Sequence, residues 1–380
     1  MHEALSPTAS VSTDAKRILV APIPVTPTKP FTPSHLKGML WVDVMLKTTG
    51  TIAQTDCLYS NLTANACEQT LGFWAFLDRE HGGADYRGAS EEEIGDLYVR
   101  YHRQAEKPPY CALKPCFHAV ERDNWIHPAS AALHRAWSAQ AALLNTRTTS
   151  FTSDYSDAMP LEELLDRLKA KDLCIDLRAD GGGVYLDLTA DGLPLRSVIT
   201  PNGRANYLIL LLRDLVPRIA SYDCIVLLYD YELSSDYLLL QRILTRLGAV
   251  AQRVSISRVA IDGVVRSSRF GGWKGYLASD LIAACIDGCD PRSFQLGMRL
   301  YFIAGTGKGM PRTFSMKHLR RAIRRAHHLI HTEQSADAAA FLRNCRRSED
   351  YLDPYLVTSL LLANGPARPP LTGKSAHWYM

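Results

Sequence analysis

The sequence lacks a continuous apolar run of 18 residues, so no segment reads as a transmembrane helix. Its opening, MHEALSPTASVSTDAKR, lacks the apolar core of a secretory signal, and its Ser, Thr and Ala content predicts a disordered tail over residues 1–16. It lacks a strong charge of either sign. The 43 Lys and Arg against 39 Asp and Glu give a formal net charge of +4, too little to argue for nucleic acid by composition. It lacks regular cysteine spacing: nine cysteines form an odd, irregular set, and Cys174 and Cys224 lie inside apolar runs, as buried thiols do. That argues against a disulfide framework and for a reduced, cytoplasmic setting. No internal repeat is visible.

What is present is a globular composition, 47% hydrophobic and 22% charged over 380 residues, with length for a large core and two or three subdomains. The apolar run from Ile18 to Ile23 predicts a buried strand. A proline-rich turn follows, then Thr32-Pro33-Ser34-His35, then a helical pattern through Leu36, Met39, Leu40, Val42 and Val44. Strand, tight loop and helix place free N–H groups and a positive dipole end where an anion can bind. Thr32 and Ser34 offer hydroxyls there, and His35 sits in the first turn. The plainer reading is a capped helix with a solvated histidine.

Further along, Thr51–Leu62 suggests a second strand. Glu68–Asp78 suggests an amphipathic helix whose aromatic face (Phe73, Trp74, Phe76) belongs to the core. Residues 79–170 read as an inserted, partly helical subdomain in which Ser90 can cap a helix. Cys111, Cys116, His118 and His127 are donors of the zinc-ligand type but not at a zinc knuckle's spacing. Leu173–Leu177 and Val184–Leu188 read as strands, Asn202-Gly203 as a turn, and Cys224–Tyr229 as a buried strand ending in DYELSSD. Asp230 and Asp236 then fall beyond the carboxyl end of a strand, where open parallel sheets bind ligands. After a strand at Val254–Val259 comes a cationic, glycine-rich loop, VRSSRFGGWKG, suited to a phosphate clamp. Residues 276–363 are mostly helical and carry a basic stripe over Lys317–His328. That stripe is either a solvated face or an RNA contact.

In this order the features resemble the catalytic domain of class I aminoacyl-tRNA synthetases and the wider nucleotidyl-transferase superfamily with the [H/T]-x-G-H motif. Residues 29–47, KPFTPSHLKGMLWVDVMLK, resemble the stretch around the first signature: Thr32 and His35 match its first and fourth positions, and Ser34 stands at the third. The Arg266–Gly271 loop occupies the place of the mobile K-M-S-K-S loop but has no lysine at the signature positions. About 105 residues follow it, fewer than an anticodon-binding domain of usual size, so a standard synthetase is not expected.

The resemblance implies an α/β fold: a Rossmann-like parallel sheet over residues 17–78 and 171–275, with the insertion at 79–170, a helical C-terminal region and an irregular tail at 364–380. It implies catalysis by Thr32, His35, Arg266, Ser267, Ser268 and Arg269. It implies nucleotide contacts from Ser34, Lys37, Gly203, Tyr207, Asp230 and Asp236, with ATP and Mg2+ and no protein metal ligands, zinc being the weaker option. The expected function is an ATP-dependent ligase that activates an amino acid as an acyl-adenylate and transfers it to an amine, as the cysteine ligase of the mycothiol pathway does on this fold. The alternatives are an acyl transferase fed by charged tRNA, as in cyclodipeptide synthases, or a non-catalytic binding protein.

Overall fold

A strand covered on both faces must be apolar at consecutive positions, and β1 (Arg17–Pro22) is buried from Ile18 to Pro22. The computed structural model describes residues 15–148, 151, 158–331, 338–347 and 350–363. Apart from Ala15 and Lys16, the expected tails lie outside the described residues.

After β1 comes α1 (Pro33–Thr49), with Pro33 at its first position, where the missing N–H costs nothing. The helix is buried almost all round, as a central helix of a large domain is. The strand expected within Thr51–Leu62 is only β2 (Gln54–Cys57), because Ser60 accepts from the Thr63 N–H and starts α2 (Asn61–Ala66). Five more helices follow: α3 (Glu68–His81), α4 (Glu91–Arg103), α5 (Tyr110–Asp123), α6 (Pro128–Leu143) and α7 (Leu161–Lys169). Phe73, Trp74 and Phe76 of α3 are buried, and Ser90 caps α4 in a box closed by Glu93.

The strands β3 (Cys174–Asp176), β4 (Val184–Leu186) and β5 (Arg196–Ile199) form an antiparallel sheet of their own. Then α8 (Tyr207–Leu215), β6 (Cys224–Asp230), α9 (Ser234–Arg246) and β7 (Ala251–Ile256) return the chain to the main sheet. β8 (Val259–Ala260) pairs with β9 (Arg312–Thr313), reached through α10 (Ala278–Ile286), α11 (Pro291–Arg299) and a π-helical turn at Leu300–Gly305. The helices α12 (Met316–His331), α13 (Ala338–Arg343) and α14 (Pro354–Leu362) complete the C-terminal region.

The main sheet is parallel, in the order β2-β1-β6-β7. This is a Rossmann-like α/β fold with a helical C-terminal region. Successive strands run outward from β1 in opposite directions, to β2 on one side and β6 on the other. The crevice beyond the carboxyl ends of β1 and β6 is therefore the switch point at which such sheets bind ligands.

One buried ion pair fastens the C-terminal region to this frame. The Arg299 Nε of α11 donates to Asp43 Oδ2 of α1 at 2.8 Å, and both side chains are closed to solvent. The other Asp43 oxygen accepts the Arg147 N–H at 2.7 Å. Removing one partner of such a pair costs about 3–5 kcal/mol, because the other is left charged and buried. All nine cysteines are unpaired. Among the described residues no helix is long and apolar enough to cross a membrane.

Candidate active site

A cleft of about 630 Å3 opens beyond the carboxyl ends of β1 and β6, bounded by the start of α1 and the 266–268 segment. The Thr32 N–H donates to His35 Nδ1 at 3.2 Å, and the Thr32 hydroxyl lies 3.1 Å from the same nitrogen. An accepting Nδ1 fixes the tautomer with its proton on Nε2. Burial, reinforced by the charges of Lys29 and Arg258, holds the imidazole pKa well below its ordinary value, against a weaker opposing pull from the Pro30 carbonyl. His35 is therefore neutral, a donor that brings no charge of its own. Ser34 also lines the cleft, but its Oγ accepts the Val259 N–H at 3.0 Å and so ties α1 to β8.

The structure brings Thr32, Ser34, His35, Tyr207, Asp230, Arg266, Ser267 and Ser268 to this one cleft. It places Lys37, Gly203, Asp236 and Arg269 outside its lining. Lys37 points behind α1, where its Nζ donates to Gly307 O at 2.7 Å and Ser257 Oγ at 3.1 Å, and burial lowers its pKa to about 7. Gly203 has φ of 86° and closes the turn in which its N–H donates to Thr200 O, so its job is the turn itself. Asp236 accepts from the Tyr207 hydroxyl and from Arg196 Nη2 at 2.9 Å, pinning α9 to α8 and β5. Arg269 stacks its guanidinium over Phe270, 5.2 Å from the ring centre, and its charge falls on Tyr98 and His102 of α4. Asp230 is at the cleft but engaged, accepting from Arg258 Nε at 3.0 Å.

Four cations in the lining were not singled out from sequence: Lys29, Arg196, Arg204 and Arg258. Burial, then repulsion from Arg258, lowers the Lys29 pKa to about 8, with Cys67 and Asp230 opposing. Arg258 lies two residues past β7, so the rule that ligands sit beyond strand ends would have found it. Lys29, Arg196 and Arg204 lie in turns and a short edge strand and carry no such signal.

With Arg266 these make five cations in the lining against two acids, Glu68 and Asp230. Each acid is already paired, Glu68 with Arg204 at 2.6 Å. This donor set, at a helix N-terminus, fits a polyphosphate. A magnesium ion would reach it on phosphate oxygens, since no free carboxylate cage lines the cleft. Cys111, Cys116, His118 and His127 do not converge: Cys111 is exposed, His118 faces Glu121 on its own helix, and His127 caps α6 and faces Asp78.

No protein-family model matches the sequence, and no curated protein does. Solved structures do. Arginyl-tRNA synthetase from Thermus thermophilus superposes with a TM-score of 0.60 at 15% identity, covering 87% of this chain and 65% of that one. Arginyl-tRNA synthetase from Plasmodium falciparum gives 0.52 at 11%, covering 92% and 65%. Methionyl-tRNA synthetase from Mycobacterium tuberculosis, in complex with methionyl-adenylate, gives 0.50 at 11%, covering 91% and 82%. The chain thus spans about two thirds of the length of the two arginyl enzymes. At these identities the likeness is one of fold: the chain shares the fold of these arginyl- and methionyl-tRNA synthetases.

Proposed function

We propose that the chain is an ATP-dependent ligase that activates an amino acid as an acyl-adenylate and passes the acyl group to an amine. The observation that carries this reading is the neutral His35 at the N-terminus of α1, facing a cleft walled by cations. A carboxylate oxygen attacks the α-phosphorus of ATP, the new O–P bond forms, and the bond to the bridging oxygen breaks as pyrophosphate leaves. Negative charge builds on the phosphoryl oxygens, and a neutral, fixed donor gains most where charge develops. Lys29, Arg258 and Arg266 would hold the polyphosphate, and a magnesium ion bound with it would neutralise part of its negative charge. The amine nitrogen then attacks the acyl carbon, AMP departs with the bonding electrons, and the amine proton passes to solvent.

The test is amino-acid-dependent exchange of pyrophosphate into ATP across the set of amino acids. Exchange with one of them supports the ligase; none with any of them removes it. A second reading draws on the 266–270 loop, which has no lysine and turns Arg269 out of the cleft. It is an acyl transferase that takes its acyl group from charged tRNA, with the basic face of α12 as the tRNA contact. Absent exchange together with transfer from charged tRNA would select it.

Under the first reading, residues 17–78 and 171–275 form the catalytic unit, 79–170 its insertion and 276–363 a supporting helical region. The unpaired cysteines support a cytoplasmic setting.

A further inference from the structure

A second constellation lies outside the cleft, on the face where α11 and α12 pack antiparallel. The helices touch at Gly297, where even an added Cβ would come within 2.5 Å of the Ile323 Cα. That close approach fixes one helix against the other. About two turns back, at the start of α11, Asp290 caps the helix, its Oδ1 accepting the Ser293 N–H at 2.9 Å. Its other oxygen, Oδ2, faces α12. His327 Nδ1 lies 3.2 Å from it and His331 Nε2 lies 3.7 Å from it. The two histidines are four residues apart on one helical face, their ring centres 4.2 Å from each other. Ligand atoms of all three residues lie within 4.8 Å of one another. Ser293 Oγ is 3.3 Å from His327 Nδ1.

A tetrahedral ion with bonds of about 2.0–2.1 Å places its ligand atoms roughly 3.3 Å apart. The two distances to Asp290 bracket that value. The histidine-to-histidine gap closes by rotation of His331, whose side chain is 55% exposed. Two imidazoles and one carboxylate suit a borderline ion such as zinc, cobalt or nickel, and suit magnesium or calcium poorly. A simple ion pair needs only one of the two histidines; both aim at the same oxygen.

We propose that Asp290, His327 and His331 form a binding site for a divalent transition metal of the zinc class, stapling the start of α11 to the end of α12. Three protein ligands leave one position for water.

The experiment titrates the full chain with Co2+ alone and follows its visible absorption, then adds Zn2+. One equivalent of Co2+ should bind with the spectrum of a nitrogen and oxygen set and no thiolate charge-transfer band, and Zn2+ should displace it. His327→Ala and His331→Ala should each weaken binding by more than the roughly 10–100-fold that losing an outer-shell partner costs. Asp290→Asn keeps the helix cap and should weaken it as well. Cys289→Ser, which removes the neighbouring thiol, should leave binding unchanged. Bound metal should raise the thermal midpoint of the natural chain and not that of the His327→Ala/His331→Ala double variant. The proposal fails if the double variant, folded by circular dichroism, gives the same isotherm, if a thiolate band appears, or if no Co2+ binds. None of these readouts involves ligase activity, so the outcome is independent of the assignment of the cleft.

Discussion

The two rims of the cleft are held very differently. On the α1 rim every group is tied. Thr32 and His35 bond to each other, Ser34 bonds to Val259, and the Phe31 N–H donates to the buried carboxylate of Glu91 at 3.0 Å. The Phe31 ring packs 5.3 Å from Trp137. On the opposite rim, Arg266, Ser267 and Ser268 make no side-chain hydrogen bond among the described residues. Gly271, Gly272 and Gly275 there all have positive φ, and Phe270 is 70% exposed. The 268–270 turn rests on α4, and the loop is fastened further on, where Trp273 is buried and Lys274 pairs with Glu92 and Asp96 of α4. The first rim is preorganised and can stabilise charge at no cost of rearrangement. Under the proposed function the second would have to order itself on the ligand and would lose part of its binding energy in doing so.

That contrast is easiest to break at His35. His35→Ala should lower turnover by roughly two to three orders of magnitude, the range for removing one fixed donor to a developing charge. Steady-state kinetics with the responsive amino acid checks it, and unchanged turnover would remove the α1 rim from the chemistry. Arg266→Ala on the loose rim should cost less, roughly tenfold to a hundredfold in kcat/KM, because part of its contribution is spent on ordering. An equal or greater loss than in His35→Ala would reverse the comparison.

Lys29 links the rims to pH. With its pKa lowered to about 8, it is cationic at pH 7 and loses its charge as pH rises. Nucleotide affinity should therefore fall by roughly tenfold between pH 7 and 9. Equilibrium binding measures this, and Lys29→Met should bind weakly and show no such fall.

Beneath the tied rim, Lys37 should set a pH-dependent stability. Its pKa is about 7 folded against an ordinary 10.5. Between those values the unfolded chain binds more protons, so stability rises with pH, and the penalty for the buried charge is full below about pH 7. Lys37→Met should flatten that rise, a change of about 1–3 kcal/mol. Urea melts at several pH values read it, and the same slope in the variant would show that Lys37 is not the source. The smallest effect belongs to Arg269→Ala. Its side chain lies outside the cleft lining, so kcat/KM should stay within about threefold. A loss matching Arg266→Ala would mean that the loop closes with Arg269 inward.

How much of this was legible follows from the kind of signal each residue carried. β1 and β6 were readable because a strand buried on both faces must be apolar at every step. Thr32 and His35 were readable because strand, loop and helix is a pattern with a physical meaning. Glu91 was not. In sequence it is one of three glutamates at a helix start, where solvated acids are common. Only the fold turns it inward, to the Phe31 N–H, Trp137 Nε1 and Gln140. Asp236 looked like a ligand contact because it follows a strand end. Its partners Tyr207 and Arg196 come from a separate sheet and helix, whose position no local pattern reveals. Arg269 and Arg266 are equivalent in composition, and the backbone turn between them decides which one faces the cleft. His327 and His331 lay within the basic stripe, and nothing in the stripe showed that Asp290 would meet them.

The Asp43–Arg299 pair also bears on how the molecule is made. Its members are 256 residues apart along the chain. The helix that begins with the Thr32–His35 corner is made before α11, and until then its buried carboxylate has Lys47 of the same helix, 3.2 Å away, but not Arg299. Contacts of such long range are slow to form, because the closure entropy of the intervening chain is lost before they repay it. Folding of the cleft is therefore expected to wait for the C-terminal helices rather than to proceed outward from the N-terminus.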